Sequence, residues 1–151
     1  VRIAVLGGVF DPPHVGHLVI AQEAWWRLGL DRVLLVPAGS PPDRPAATYA
    51  AADRLRMLRR AVEGHPGLAV SRAEIDRPGP SFTVDTLQAV ADEHPGAALW
   101  FVLGADRLEG FAGWHRPERI LELARLAVVP RNGVSAEDVV RIGDRVAPGA
   151  V

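Results

Sequence analysis

Residues 7–17 read G-G-V-F-D-P-P-H-V-G-H and lie between two segments of opposite periodicity. Before them runs I-A-V-L at residues 3–6, an unbroken apolar stretch that predicts a buried strand. After them Val15, Leu18, Val19, Gln22 and Trp25 or Trp26 recur at helical spacing, and Gly29 is placed to cap that helix at its C-terminus. The stretch is therefore a strand-to-helix turn. Gly7 and Gly8 let the backbone approach a ligand without an intervening Cβ, while Pro12 and Pro13 fix φ and hold the turn in one shape. His14 and His17 are three apart, which puts both imidazoles on one side of the first helical turn. Unpaired N–H groups and the positive end of the helix dipole favour an anion there. The expectation is a phosphate site with two imidazole donors. The same pair also suits helix caps or a metal pair, and spacing alone does not separate those readings.

Composition narrows the class. A chain of 151 residues with 48% apolar side chains is long enough for one well-packed domain. The net charge of −1, with no basic block, gives no electrostatic source for binding nucleic acid or an anionic membrane surface. No run reaches transmembrane length and no signal-peptide pattern opens the chain, so a cytoplasmic protein is expected. The absence of cysteine, which excludes disulfides and thiolate zinc sites, agrees with a reducing compartment. All 17 basic residues are arginine. Without lysine there is neither a Walker A loop nor a Schiff base, and phosphate must be met by Arg, His and backbone N–H groups.

Further along, strands are expected at residues 33–36, 68–71, 99–103 and 126–129, and helices at 51–63, 83–93, 117–123 and 136–142. In the first of these helices Leu55, Leu58 and Val62 should face inward, with Arg54, Arg56, Arg59 and Arg60 forming a largely solvated face. Residues 37–46 form a proline-rich loop at a strand's carboxyl end, where open parallel sheets bind ligands. Ser135 is placed to cap the last helix. Alternating strands and helices imply an α/β domain with a doubly wound, Rossmann-like parallel sheet and right-handed crossovers. G-G-V-F-D-P is not the dinucleotide fingerprint G-x-G-x-x-G, which argues against hydride transfer.

The turn G-G-x-F-D-P-x-H-x-G-H resembles the signature of the HxGH nucleotidyltransferases, and implies their nucleotidyltransferase fold. Within that superfamily several segments are similar to bacterial nicotinate-nucleotide adenylyltransferases: L-D-R-V-L-L-V-P-A-G-S-P-P (30–42), R-P-G-P-S-F-T-V-D-T-L (77–87), F-V-L-G-A-D (101–106), W-H-R-P-E-R-I-L (114–121) and L-A-R-L-A-V-V-P-R (123–131). The resemblance implies Mg2+-dependent transfer of AMP from ATP to nicotinate mononucleotide, with His14 and His17 as catalytic donors. It places Gly7, Gly8, Val9, Phe10, Gly104, Asp106 and Arg131 around ATP, Asp106 at the ribose. Phe82, Thr83, Asp85 and Trp114 are placed around the mononucleotide, with Arg44 toward its phosphate. An indole face suits a flat heterocycle, and N–H groups near Thr83 suit a carboxylate. Other readings remain: Trp114 as an ordinary half-buried aromatic, Ser81 or Thr83 as a helix cap, Asp106 as a cap. No protein metal site is implied, and self-association is left open.

Departures from the family pattern are specific. Val9 stands where Thr or Ser is usual, Asp43-Arg44 replaces His-Lys, and Phe82 replaces Tyr. Nothing after Val140 matches the I-S-S-T-x-x-R segment with which the family completes its triphosphate site. Residues 1–151 are thus expected to form a single nucleotidyltransferase domain lacking that segment. Transfer to nicotinamide mononucleotide or another phosphorylated acceptor, and nucleotide binding without catalysis, are the alternatives.

Overall fold

The computed structural model describes residues 1–39 and 45–151. Five strands, β1 (Arg2–Gly8), β2 (Arg32–Pro37), β3 (Leu68–Val70), β4 (Ala98–Gly104) and β5 (Arg125–Val129), form one sheet in the order β3-β2-β1-β4-β5. All four pairings are parallel. The helices are α1 (Val15–Arg27), α2 (Ala51–Val62), α3 (Thr83–Glu93), α4 (Ala105–Leu108), α5 (Pro117–Leu123) and α6 (Ala136–Val146), with a 3-10 turn at Phe111–Gly113.

Both faces of the sheet are covered, which is why its strands read as apolar runs without alternation. Ile3, Val5, Phe101 and Leu103 point to the face that packs α3, α5 and α6, among them Leu87, Ile120 and Val139. Ala4, Leu6, Trp100 and Val102 point to the other face, against Ala21 of α1 and Leu58 of α2. Parallel strands need crossovers, and these alternate sides at β1: the chain first builds outward through β2 and β3, then returns past β1 to β4. That reversal opens a crevice beyond the carboxyl ends of β1 and β4, where such sheets bind ligands.

Two sequence expectations need correction. Arg54 is not on a solvated face: it is 2% exposed, at a position in α2 beside the buried Leu55 and Leu58. Helical spacing gives the direction of a side chain only relative to its own helix, and the carbonyls of Val9, Ala38 and Tyr49 meet Arg54 from outside it. The last helix continues past Ile142 to Val146, because Val139 and the close-packed Gly143 hold it against the core. Ser135 does cap it, accepting from Asp138 N–H while Asp138 accepts from Ser135 N–H. Among the described residues no helix is long and apolar enough to cross a membrane.

Candidate active site

The crevice is a cavity of about 630 Å³, within the usual range of small-molecule sites. One end is walled by Gly7, Gly8, Val9, Phe10, His14, His17, Gly104 and Arg131, the other by Ser81, Phe82, Thr83, Thr86, Trp114 and His115.

At the first end, the turn between β1 and α1 is held from inside. Phe10 is buried with φ +52, a left-handed conformation costly for a residue with a Cβ, and its ring lies edge-on to His17 at 4.7 Å. A Cβ on Gly8 would come within 3.3 Å of that ring, close enough that the ring would have to shift. His14 is the N-cap of α1, and the two imidazoles stack at 3.7 Å. His17 Nδ1 accepts a hydrogen bond from His14 N–H at 3.1 Å, which assigns the His17 proton to Nε2 and makes that atom a donor. Burial, with the neighbouring His14 and Arg131 charges adding to it, pushes His17 down to about 4. It is a neutral donor at physiological pH. No acidic residue occupies the first turn of α1, so the positive end of the dipole is not offset by the protein.

Asp106 caps nothing. Its carboxylate accepts from Arg131 Nε at 2.7 Å and Asn132 Nδ2 at 2.9 Å, and the Arg131 hydrogen bond is the main force holding its pKa below the ordinary value. Arg131 lines the cavity, whereas Asp106 stands behind it as its partner.

At the other end, Phe82 stacks on His115 at 4.3 Å, and Trp114 packs against Phe101 and Phe111 with the Arg107 guanidinium 5.2 Å from its ring centre. Phe82, and neither Ser81 nor Thr83, is the N-cap residue of α3. Asp85 is exposed and does not line the cavity. Arg44 lies outside the described residues. Among the described residues no three His, Asp or Glu side chains converge as a metal cluster.

Three residues of this region were missed from sequence. Glu74 lines the cavity while 8% exposed, and burial pushes its carboxyl up to about 7 against the opposing pull of Arg77 and the Ser81 hydroxyl. Asp11 accepts from Thr48 N–H at 2.6 Å and Tyr49 N–H at 2.8 Å, tying the turn to the segment before α2. Arg54 donates to carbonyls on both sides of the same junction. The D-P-P run marked Asp11 as a turn residue, but partners 37 and 38 positions away leave no local trace.

A cleft of this make, at the switch point of a doubly wound sheet with two imidazoles on a helix N-terminus, is that of a nucleotide-binding α/β domain. A family profile described as cytidylyltransferase-like matches residues 5–146. A probable nicotinate-nucleotide adenylyltransferase of Synechococcus sp. strain JA-3-3Ab is 41% identical over 93% of this chain and 68% of its own length. One from Dehalococcoides mccartyi is 41% identical over 98% of this chain and 73% of its own. The chain belongs to the cytidylyltransferase-like family, in its nicotinate-nucleotide adenylyltransferase branch. Among solved structures, the nicotinic acid mononucleotide adenylyltransferase of Plasmodium falciparum complexed with NaAD shares the fold, with TM-score 0.79 at 17% identity over 93% of this chain and 70% of that one.

Proposed function

We propose that the protein transfers AMP from ATP to nicotinate mononucleotide, giving deamido-NAD and pyrophosphate. The observation that carries this reading is the union, in one cavity, of the His14/His17 turn with the wall of Phe82, Thr83 and Trp114. The relatives' name supplies the reaction. A phosphate oxygen of the mononucleotide attacks the α-phosphorus of ATP, and the bond to the departing pyrophosphate breaks in line. The protein's part is positioning and charge stabilisation. Neutral His17 offers Nε2–H to the phosphate oxygens, His14 and the α1 N-terminus stand beside it, and Arg131 approaches from β5. Gly7, Gly8, Val9 and Phe10 bring backbone rather than side chain to the triphosphate. Trp114 and Phe82 bracket the pyridine ring, and Thr83 opens the helix whose N–H groups face its carboxylate. Bound to ATP, Mg2+ would offset part of the triphosphate charge. ATP chemistry of this kind belongs in the cytoplasm.

The test is pyrophosphate release with ATP and each mononucleotide in turn. Turnover with nicotinate mononucleotide, at a kcat/KM well above that for nicotinamide mononucleotide, is expected. Preference for the amide would overturn the acceptor, and ATP binding without turnover on any mononucleotide would leave a binding protein.

A further inference from the structure

Arg54 does more than fill space in α2. Its Nη1 donates to the Val9 carbonyl at 2.7 Å and to the Ala38 carbonyl at 2.8 Å, and its Nε donates to the Tyr49 carbonyl at 3.1 Å. Val9 and Ala38 line the cavity, at the ends of β1 and β2, so the guanidinium lies directly behind that wall. In a trans peptide the carbonyl and the following N–H point in opposite directions. Drawing the Val9 carbonyl back toward α2 therefore turns Phe10 N–H the other way, and that N–H has no hydrogen-bond partner among the described residues. The Ala38 carbonyl orients Gly39 N–H by the same rule. Phe10 holds its left-handed φ of +52 only under constraint, and the Arg54 bond to the preceding carbonyl supplies one.

Charge points the same way. A guanidinium stays protonated when buried, and desolvating it is costly unless something negative is near. The three groups it bonds are neutral carbonyls. Asp11, whose pKa its charge helps to lower, is itself engaged by Thr48 and Tyr49 N–H. Asp11 keeps its charge while it accepts those bonds and offsets part of that of Arg54, and an anion in front of Val9 and Phe10 adds to it.

We propose that Arg54 is a positioning residue for ATP, aiming the turn's amides at the triphosphate and standing behind them as a fixed positive charge. The inference rests on the adenylyltransferase reading of the cavity, and extends it to a side chain that does not line it.

The test compares Arg54→Lys, which keeps the charge, with Arg54→Gln, which keeps hydrogen-bond donors without it. Steady-state KM for ATP and for nicotinate mononucleotide, ATP Kd by calorimetry, and Tm are read for each. Arg54→Gln is expected to raise the Kd and KM for ATP about 10- to 100-fold, as for loss of charged hydrogen bonds. The mononucleotide KM should stay within about twofold, and Arg54→Lys should recover a large part of the loss. A purely structural clamp would lower Tm equally in both variants and raise both KM values together, and that result overturns the proposal. Should Arg54→Gln not fold, Arg54→Lys decides alone: ATP affinity falling in step with mononucleotide affinity overturns it, and a selective change in ATP supports it. If the wild-type protein binds ATP yet turns over no mononucleotide, the functional reading fails while the ATP Kd still tests Arg54.

Discussion

Arg131 donates to Asp106 at 2.7 Å across the space where Gly104 lacks a Cβ. A Cβ there would lie 2.2 Å from Arg131 Nε and 2.5 Å from Asp106 Oδ1. Gly104 has φ −73, which any residue adopts, so this glycine is set by the ion pair and not by the backbone. The pair steers Arg131 along the cavity wall instead of letting it extend into water.

Gly104→Ala is therefore expected to displace Arg131 and raise the KM for ATP about tenfold, the effect of roughly 1.4 kcal/mol, with the mononucleotide KM little changed. Stability should move by less than about 1 kcal/mol, since the pair is partly exposed. Steady-state kinetics with a melting curve check both. An unaltered KM for ATP would show that the guanidinium finds its place without Asp106.

His14→Ala and His17→Ala should each reduce turnover far more than ATP affinity, because charge that develops in the transition state is felt in kcat. Loss of one such donor costs on the order of 3 kcal/mol. The acid limb of kcat/KM attributable to His17 in the free enzyme should fall near pH 4 and not near 6.5, given its lowered pKa. An NMR titration of the His17 ring gives the pKa directly, and a midpoint near 6.5 would contradict the buried neutral donor.

The strand-turn-helix core was legible because each of its signals is local. The run at residues 3–6, the glycines, the prolines and the paired histidines all act within a few positions, and the helices at Thr83–Glu93 and Pro117–Leu123 matched their sequence bounds. Arg54 was not legible, since its burial comes from carbonyls at Val9 and Ala38, far away in sequence. Glu74 was missed for the same reason: R-A-E-I-D-R carries no periodic signal of burial, and the close approach of Gly39, where a Cβ would lie 2.5 Å from the Glu74 carbonyl oxygen, brings together residues 35 positions apart. Asp106 was expected at the ribose, whereas its carboxylate is taken up by Arg131, 25 residues away and without a local trace.

Trp114→Ala should raise the KM for the mononucleotide about 10- to 100-fold and leave that for ATP nearly unchanged, since stacking of a ring on an aromatic side chain is worth roughly 1–3 kcal/mol. Trp114 also packs on Phe101 and Phe111, so the truncation lowers Tm as well. Trp114→Phe separates the two effects, keeping most of the packing with a smaller stacking face. A rise in the KM for ATP instead would place the pyridine ring elsewhere in the cavity.

Glu74 and His17 bend the stability curve in opposite directions. Glu74 rises from 4.5 in the unfolded chain to about 7 in the fold, so between those values the folded protein keeps a proton that the unfolded chain has released. Its contribution to stability is present below pH 4.5 and is lost as pH rises through 7. His17 falls from 6.5 to about 4, so its contribution is present above pH 6.5 and is lost as pH falls through 4. Glu74 is the more deeply buried, and its effect should dominate between pH 6 and 8. Glu74→Gln, a neutral group of the same shape, removes the Glu74 slope and leaves that of His17. The variant is expected to melt roughly 3 °C or more above the wild type at pH 8, since about 1 kcal/mol moves the Tm of a domain this size by roughly 2–4 °C. At pH 5, where the wild-type carboxyl is protonated, the two should nearly coincide. Melting curves at pH 5, 6, 7 and 8 read the slopes directly, and parallel curves for the two proteins would mean that Glu74 is ionised throughout, with Arg77 and Ser81 outweighing its burial.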